Sequence, residues 1–170
     1  MKLTLEEKQS LEDIYQDFLH NEKIQQMKEV PMHRGSNCYV HSFKVAKLAI
    51  KRAIRHKKGN LKQILIASIL HDYYLYDWRV EKDKRKKHLS RHPSIAAENA
   101  YKDFFIDERI QRIIKAHMWP VNFRTFPNTK EARIVTLADK TIAFKEAMCS
   151  KKYKAKRMTL YYQSIQQLFL

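Results

Sequence analysis

Two glycines and four prolines are all that punctuate this 170-residue chain. Hairpins and tight turns rely on these residues for backbone angles that others avoid. Their scarcity steers the chain away from β-rich architectures and toward helices. Apolar spacing agrees. Thr4-Leu5-Glu6-Glu7 reads as a capping box, after which Leu11, Ile14, Tyr15, Phe18 and Leu19 recur at helical spacing. A second helix is expected from about Tyr39, carrying His41, Val45, Leu48 and Ala49 on one face and ending near Gly59. A third covers Leu61 to about Asp72, and Pro93 suits the start of a fourth. Asp107 is placed to cap a fifth, in which Ile110, Ile113, Ile114 and His117 share a face. Asn128 or Thr129 can cap a sixth, with Val135, Asp139, Ile142 and Ala143. A last amphipathic helix is expected over about 158–170, and VPMHRGSNCYVHS reads as a structured loop. No repeat or linker divides the sequence, so the expectation is one all-α domain over 1–170, a bundle of about six to eight helices.

No apolar run reaches the length of a bilayer span. The N-terminal MKLTLEEKQS lacks the apolar stretch of a signal peptide, so a cytoplasmic protein is expected, with no membrane partner. Cys38 and Cys149 are isolated and read as reduced thiols. Lysine and arginine number 34 against 18 acids, a formal net charge of +16. Such an excess favours an anionic partner: nucleic acid, a nucleotide, another phosphate ester or an acidic surface. A solvated lysine-rich surface produces the same count.

Several polar residues fall on the apolar faces of these helices. The stretch ILIASILHDYYLYDW is apolar until His71 and Asp72, and a carboxylate there costs several kcal/mol unless compensated. His41, His117 and Asp139 sit on apolar faces elsewhere, and His92 stands at a helix start. Singly, each histidine reads as a hydrogen-bonded core residue, and Asp139 as the partner of a lysine or the cap of a neighbouring helix. Together they are explained by a divalent metal, because imidazole and carboxylate are suitable ligands and a dication offsets the buried charge. Adjacent helical residues point about 100° apart, so His71 and Asp72 can both face one cleft.

The order His41, His71-Asp72, His92, His117, Asp139 resembles the HD-domain metal-dependent phosphohydrolase superfamily. HSFKVAKLA looks like its first-histidine helix, SILHDY like its paired motif, HPSIAAENA and IIKAHM like the intervening histidine segments, and TLADK like the terminal aspartate motif. The resemblance covers residues 33 to about 148. It implies an HD-type helical fold in which His41, His71, Asp72 and Asp139 ligate a first metal. His92 and His117 match the extra histidines of two-metal members, where the aspartate of the pair bridges. One or two divalent ions are thus implied, among iron, manganese, zinc, nickel and magnesium. Some two-metal relatives carry a further histidine directly after the one matched by His117, but here Met118 stands there. The implied activity is hydrolysis of a nucleotide or related small phosphate ester or anhydride by a metal-activated water.

Neighbouring residues have two readings each. Asp77 either orients the attacking water or a ligand histidine, or is an exposed helix-end acid paired with Arg79. Lys140 follows Asp139 as in many relatives and contacts phosphate or forms a structural ion pair. His33 and Arg34 lie in a loop before the first ligand, where Arg34 suits bidentate phosphate binding or is simply solvated. Tyr73, Tyr74, Tyr76, Trp78 and Trp119 form either an aromatic wall for a nucleobase or part of the core. The basic stretches 82–91 and 151–157 attract anionic substrate or are solvated faces. His20, His56 and His88 match no motif and read as surface residues. The competing function is nucleic-acid binding, or a nuclease, using the basic surface.

Overall fold

The computed structural model describes residues 3–32, 36–80, 88–148 and 154–169. Among them are eight α-helices and no strand. In chain order these are α1 (Leu5–His20), α2 (Glu22–Gln25, running on into a 3-10 turn, Gln26–Glu29), α3 (Cys38–His56) and α4 (Leu61–Leu70). There follow α5 (His88–Phe104), α6 (Glu108–Ala116), α7 (Lys130–Met148) and α8 (Lys154–Ser164). The all-α expectation holds. Residues 33–35 and 81–87 lie outside the described part, and with them His33, Arg34 and most of the basic stretch before α5. No helix among the described residues is long and apolar enough to cross a membrane.

The short helix α4 organises the bundle. Its sequence, LKQILIASIL, is apolar nearly all round, the signature of a helix enclosed by others. It packs against α1, α3, α5, α6 and α7, and Ile64, Leu65, Ala67, Ile69 and Leu70 are completely buried. A helix so enclosed points its C-terminus at the interior, so the residues that follow it, His71 and Asp72, are delivered to the centre of the molecule.

The helix boundaries follow local chemistry where caps were recognised. The Thr4 side chain accepts from the Glu7 amide while the Glu7 carboxylate accepts from the Thr4 amide, completing the capping box. Asp107 caps α6 by accepting from the Ile110 amide, and Thr129 caps α7 by accepting from Ala132. Asn37 does the same for α3 through Val40.

Two boundaries differ from expectation. α5 begins at His88, so Pro93 lies inside the helix instead of opening it. The reason is tertiary: His88 stacks between Trp78 and His92, which holds an extra turn ahead of the proline. α8 spans Lys154–Ser164 and stops short of residue 170. Beyond it the chain turns, so that the Ile165 carbonyl accepts from Tyr15 Oη at 2.7 Å and the Leu168 amide donates to Glu12. Ile165 and Leu168 are buried against the chain's own core.

Candidate metal centre

Five elements each bring a polar side chain to one buried point. His41 comes from the first turn of α3, and His71 and Asp72 from the end of α4. His92 comes from α5, His117 caps the end of α6, and Asp139 lies midway along α7. All six are at most 5% exposed. The ends of α4 and α6 carry the negative pole of the helix dipole, so a carboxylate placed there calls for a cation.

Asp72 divides the cluster between its two oxygens. Oδ2 lies 3.4 Å from His71 Nε2 and 3.9 Å from His41 Nε2. Asp139 Oδ1 belongs to the same half, 3.2 Å from His41 Nε2 and 3.7 Å from His71 Nε2. Oδ1 of Asp72 faces the other half, 3.3 Å from His92 Nε2 and 3.5 Å from His117 Nε2. The groups His41–His71–Asp72, His71–His117–Asp139 and Asp72–His92–His117 each hold their ligand atoms within 4.8 Å of one another, close enough to hold a metal ion.

The outer nitrogens explain how the rings are aimed. Nδ1 of His71 lies 2.7 Å from the Ser68 carbonyl, Nδ1 of His92 2.9 Å from the His88 carbonyl, and Nδ1 of His117 2.7 Å from the Ile114 carbonyl. A carbonyl only accepts, so each Nδ1 carries the proton and each Nε2 of a neutral ring presents a lone pair inward. His41 follows the same rule with a carboxylate: its Nδ1 lies 2.9 Å from Glu146 Oε2. Glu146 is itself 3% exposed, and its other oxygen accepts from Lys44 Nζ at 3.0 Å and from Ser36 Oγ at 3.3 Å. A histidine oriented by a carboxylate or carbonyl on its outer nitrogen is the usual arrangement around a metal.

Of the inner nitrogens, His41 Nε2 meets Asp139 Oδ1 at 3.2 Å, and the other three are less well served. His71 Nε2 is buried with no hydrogen-bond partner among the described residues. His92 Nε2 and His117 Nε2 lie 2.9 Å apart, two lone pairs facing each other beside Asp72. Buried polar atoms are rarely orphaned, and lone pairs this close need a proton or a metal ion between them. The donor set of imidazoles and carboxylates fits a divalent metal.

The ionisation of the side chains reflects the same crowding. Burial would lower the His41 pKa, but the hydrogen bonds to Asp139 and Glu146 outweigh it and raise the value to about 10. Burial, helped by the neighbouring charges of His71 and His92, brings His117 down to about 4 against the pull of Asp72. Burial would also raise Asp72 and Asp139. The surrounding histidines, and for Asp139 also Lys140, hold both carboxyls well below the usual range instead.

A cavity of about 170 Å³ opens onto the cluster. Asp72, His92, His117 and Asp139 form its floor, with Met118, Lys140, Tyr74, Trp78, Arg79 and His88 among its walls. Lys140 Nζ is 2.9 Å from Asp139 Oδ2, so the ion-pair reading of this lysine is realised at the cavity edge. Met118, where a further histidine would stand, turns its sulfur toward Lys140 at 3.4 Å. Asp77 is not a cavity residue; its carboxylate accepts from the Arg79 amide at 2.9 Å. Of the aromatic group, Tyr73 and Tyr76 are core, buried Tyr74 and half-buried Trp78 wall the cavity, and Trp119 stands outside it against Phe126.

Three participants were missed or misplaced by sequence reasoning. His88 is buried, not on the surface, its Nδ1 3.0 Å from Tyr76 Oη, and burial with the adjacent His92 lowers its pKa to about 4. The signal for it was weak: it precedes His92 by one helical turn. Arg79 lines the cavity, with Nη2 on the Met32 carbonyl at 2.7 Å and its guanidinium 5.5 Å from the Trp78 ring centroid. Glu146 follows Asp139 by two turns of α7 and was readable only as one more surface acid.

The HD domain family model matches residues 38–143, well over half of the chain. The protein belongs to the HD domain family. Comparison with curated proteins and with solved structures yields no match. Membership in the HD domain family places the chain in a superfamily of metal-dependent phosphohydrolases that handle phosphorylated substrates. The matched span contains all six residues of the cluster, whereas Glu146 lies three residues beyond it.

Proposed function

We propose that this HD domain protein is a metal-dependent hydrolase of a nucleotide or other small phosphate ester or anhydride. The observation that carries this is the set of four imidazoles whose outer nitrogens are tied down and whose inner lone pairs converge on the two oxygens of Asp72. In this reading His41, His71, Asp72 and Asp139 hold one divalent ion. His92, His117 and the second oxygen of Asp72 would hold another, with Asp72 serving both groups of ligands. The bound ions supply acidification of a water and neutralisation of charge on the phosphoryl oxygens.

The chain's own residues do the remaining work. Glu146 keeps His41 in the tautomer whose Nε2 faces inward. Lys140 and Arg79, both lining the cavity, receive the phosphoryl oxygens, Arg79 through the planar fork that suits a phosphate. Asp77 acts on Arg79 through its backbone and not on substrate. Met32 lines the cavity directly before His33 and Arg34, and this keeps those two residues in the proposal as substrate contacts. Trp78 supplies a flat face beside the cavity on which a base can lie.

Metal analysis of protein purified without chelator, followed by hydrolysis assays on nucleotides and simple phosphate esters after loading with manganese, iron, nickel, zinc or magnesium, tests this reading. Between one and two equivalents of metal and metal-dependent phosphate release are expected. Less than one equivalent after reconstitution overturns it. The formal charge of +16 favours nucleic acid as the alternative partner. Under that alternative Asp72→Ala leaves nucleic-acid affinity intact, while charge reversal across 84–87 weakens it and flattens its salt dependence.

A further inference from the structure

A second cavity, larger than the one at the histidine cluster, is lined by a different set of residues. It is an open groove of about 840 Å³ between α3 and α7, closed on one side by the C-terminal turn. This is within the range of small-ligand pockets, roughly 300–1,000 Å³. Along α3 it runs from Lys44 to Ile54, about 15 Å at 1.5 Å per residue. Its two ends differ in chemistry. Lys44 bonds Glu146, Lys145 is the chain neighbour of Glu146, and Lys47, a turn beyond Lys44, donates to the Ser164 carbonyl at 2.8 Å. Further along lie Leu48, Ile50, Ile54 and Ile142, with Leu168 and Phe169 on the C-terminal wall.

Glu146 is the single lining carboxylate among the described residues, and His41 and Lys44 already engage it. Four lysines line the groove against this one carboxylate, with Glu12 acting on Lys47 from outside the lining. Lys145 has no ion-pair partner among the described residues, and burial lowers the pKa of Lys47, the mark of an ammonium short of solvent. A cationic end continuous with an apolar trough is complementary to a ligand of opposite polarity along its length. An acidic helical peptide would need positive charge along the whole trough, whereas three of the four lysines gather at one end.

We infer that this groove binds a single-chain anionic amphiphile, its carboxylate or phosphate head among Lys44, Lys47 and Lys145 and its alkyl chain along Leu48, Ile54 and Ile142. The site shares no lining residue with the cavity at the cluster; it touches the cluster through Glu146, which lines the groove and bonds His41.

Calorimetric titration with dodecanoate and with dodecyl phosphate, each below its micelle concentration, tests the assignment. One molecule per chain is expected to bind, and the tighter of the two identifies the head group. Lys145→Glu and Ile142→Trp should each weaken binding at least tenfold, with helicity and melting temperature showing that both fold. Should one fail to fold, the other carries the test, with Lys51→Glu, the fourth lining lysine, as a third. Lack of saturable binding overturns the inference, as does equal affinity for uncharged dodecyl glucoside or for inorganic phosphate. An acidic peptide held at the groove by a protein that ignores both amphiphiles also overturns it.

Discussion

The two halves of the histidine cluster are built to different standards. On the Oδ2 side of Asp72, three further side chains converge, and His41 is clamped from behind by a buried carboxylate that is itself held by Lys44 and Ser36. On the Oδ1 side there are only two, His92 and His117, each backed by a backbone carbonyl of its own helix. Met118 occupies the place where a fifth imidazole would enlarge the second group. A carboxylate behind a histidine raises its basicity more than a neutral carbonyl does, so the Oδ2 side is expected to hold its ion more tightly. The difference also has a spatial sense. His92 and His117 line the cavity, whereas His41 and His71 lie beneath it. On the proposed two-ion reading, the half with His41 and His71 is the one suited to lasting occupancy and the half with His92 and His117 to exchange.

Removing the shared member breaks the comparison altogether. Asp72→Ala should abolish binding on both sides and reduce hydrolysis by about a thousandfold or more, the scale expected when charge stabilisation is lost from the transition state. Metal content and turnover, measured together, check it. His92→Ala and His41→Ala should then separate the halves. The first is expected to leave about one equivalent of tightly held metal and the second to lose the tight ion, both read by metal analysis after dialysis. Retention of identical metal content by the two variants would show the halves to be equivalent.

A finer test asks whether the clamp behind His41 is what distinguishes the deeper side. Glu146→Gln preserves shape but removes the charge, and should weaken metal affinity by about 10- to 100-fold. The equivalent change cannot be made behind His92 or His117, where the acceptor is backbone. Arg79→Lys touches neither half. It should raise KM by about tenfold with metal content unchanged, because lysine keeps the charge but loses the fork.

The smallest effect lies outside the cluster and serves as its control. Hydrogen bonding from Lys23 lowers the Asp103 carboxyl pKa, with a further contribution from Tyr73 and against some cost of burial. A carboxyl depressed in the folded state adds stability above its unfolded pKa, and that stability is lost as pH falls through the folded value. Asp103→Asn should therefore flatten the acid limb of the stability curve, by no more than about 1 kcal/mol for so exposed a pair. Denaturant unfolding from pH 6 down to pH 2 measures it, and metal binding at pH 7 should be unaffected.

Much of the fold was legible because its signals are local. The capping residues Thr4, Asp107 and Thr129 act within four positions of themselves, and an apolar helix such as α4 announces its burial by having no polar face. The boundaries that moved were those set from a distance. His88 begins α5 early because Trp78 and His92 receive its ring, and α8 ends early because Tyr15 and Glu12 capture the turn that follows it.

The same division runs through the site. Which residue types stand at 41, 71, 72, 92, 117 and 139, and that they lie on inward faces, is a property of the chain alone, since apolar periodicity gives each helix its direction. How they share the work was decided only by packing. The split of Asp72 between two groups of imidazoles, the distance of 2.9 Å between His92 and His117, and the Glu146 carboxylate behind His41 all depend on where α3, α5, α6 and α7 come to rest around the end of α4. Side chains separated by 20 to 105 positions carry no pattern in sequence that pairs one oxygen with one nitrogen. That pairing is fixed by the angles at which helices cross and by the need of each buried polar atom for a partner.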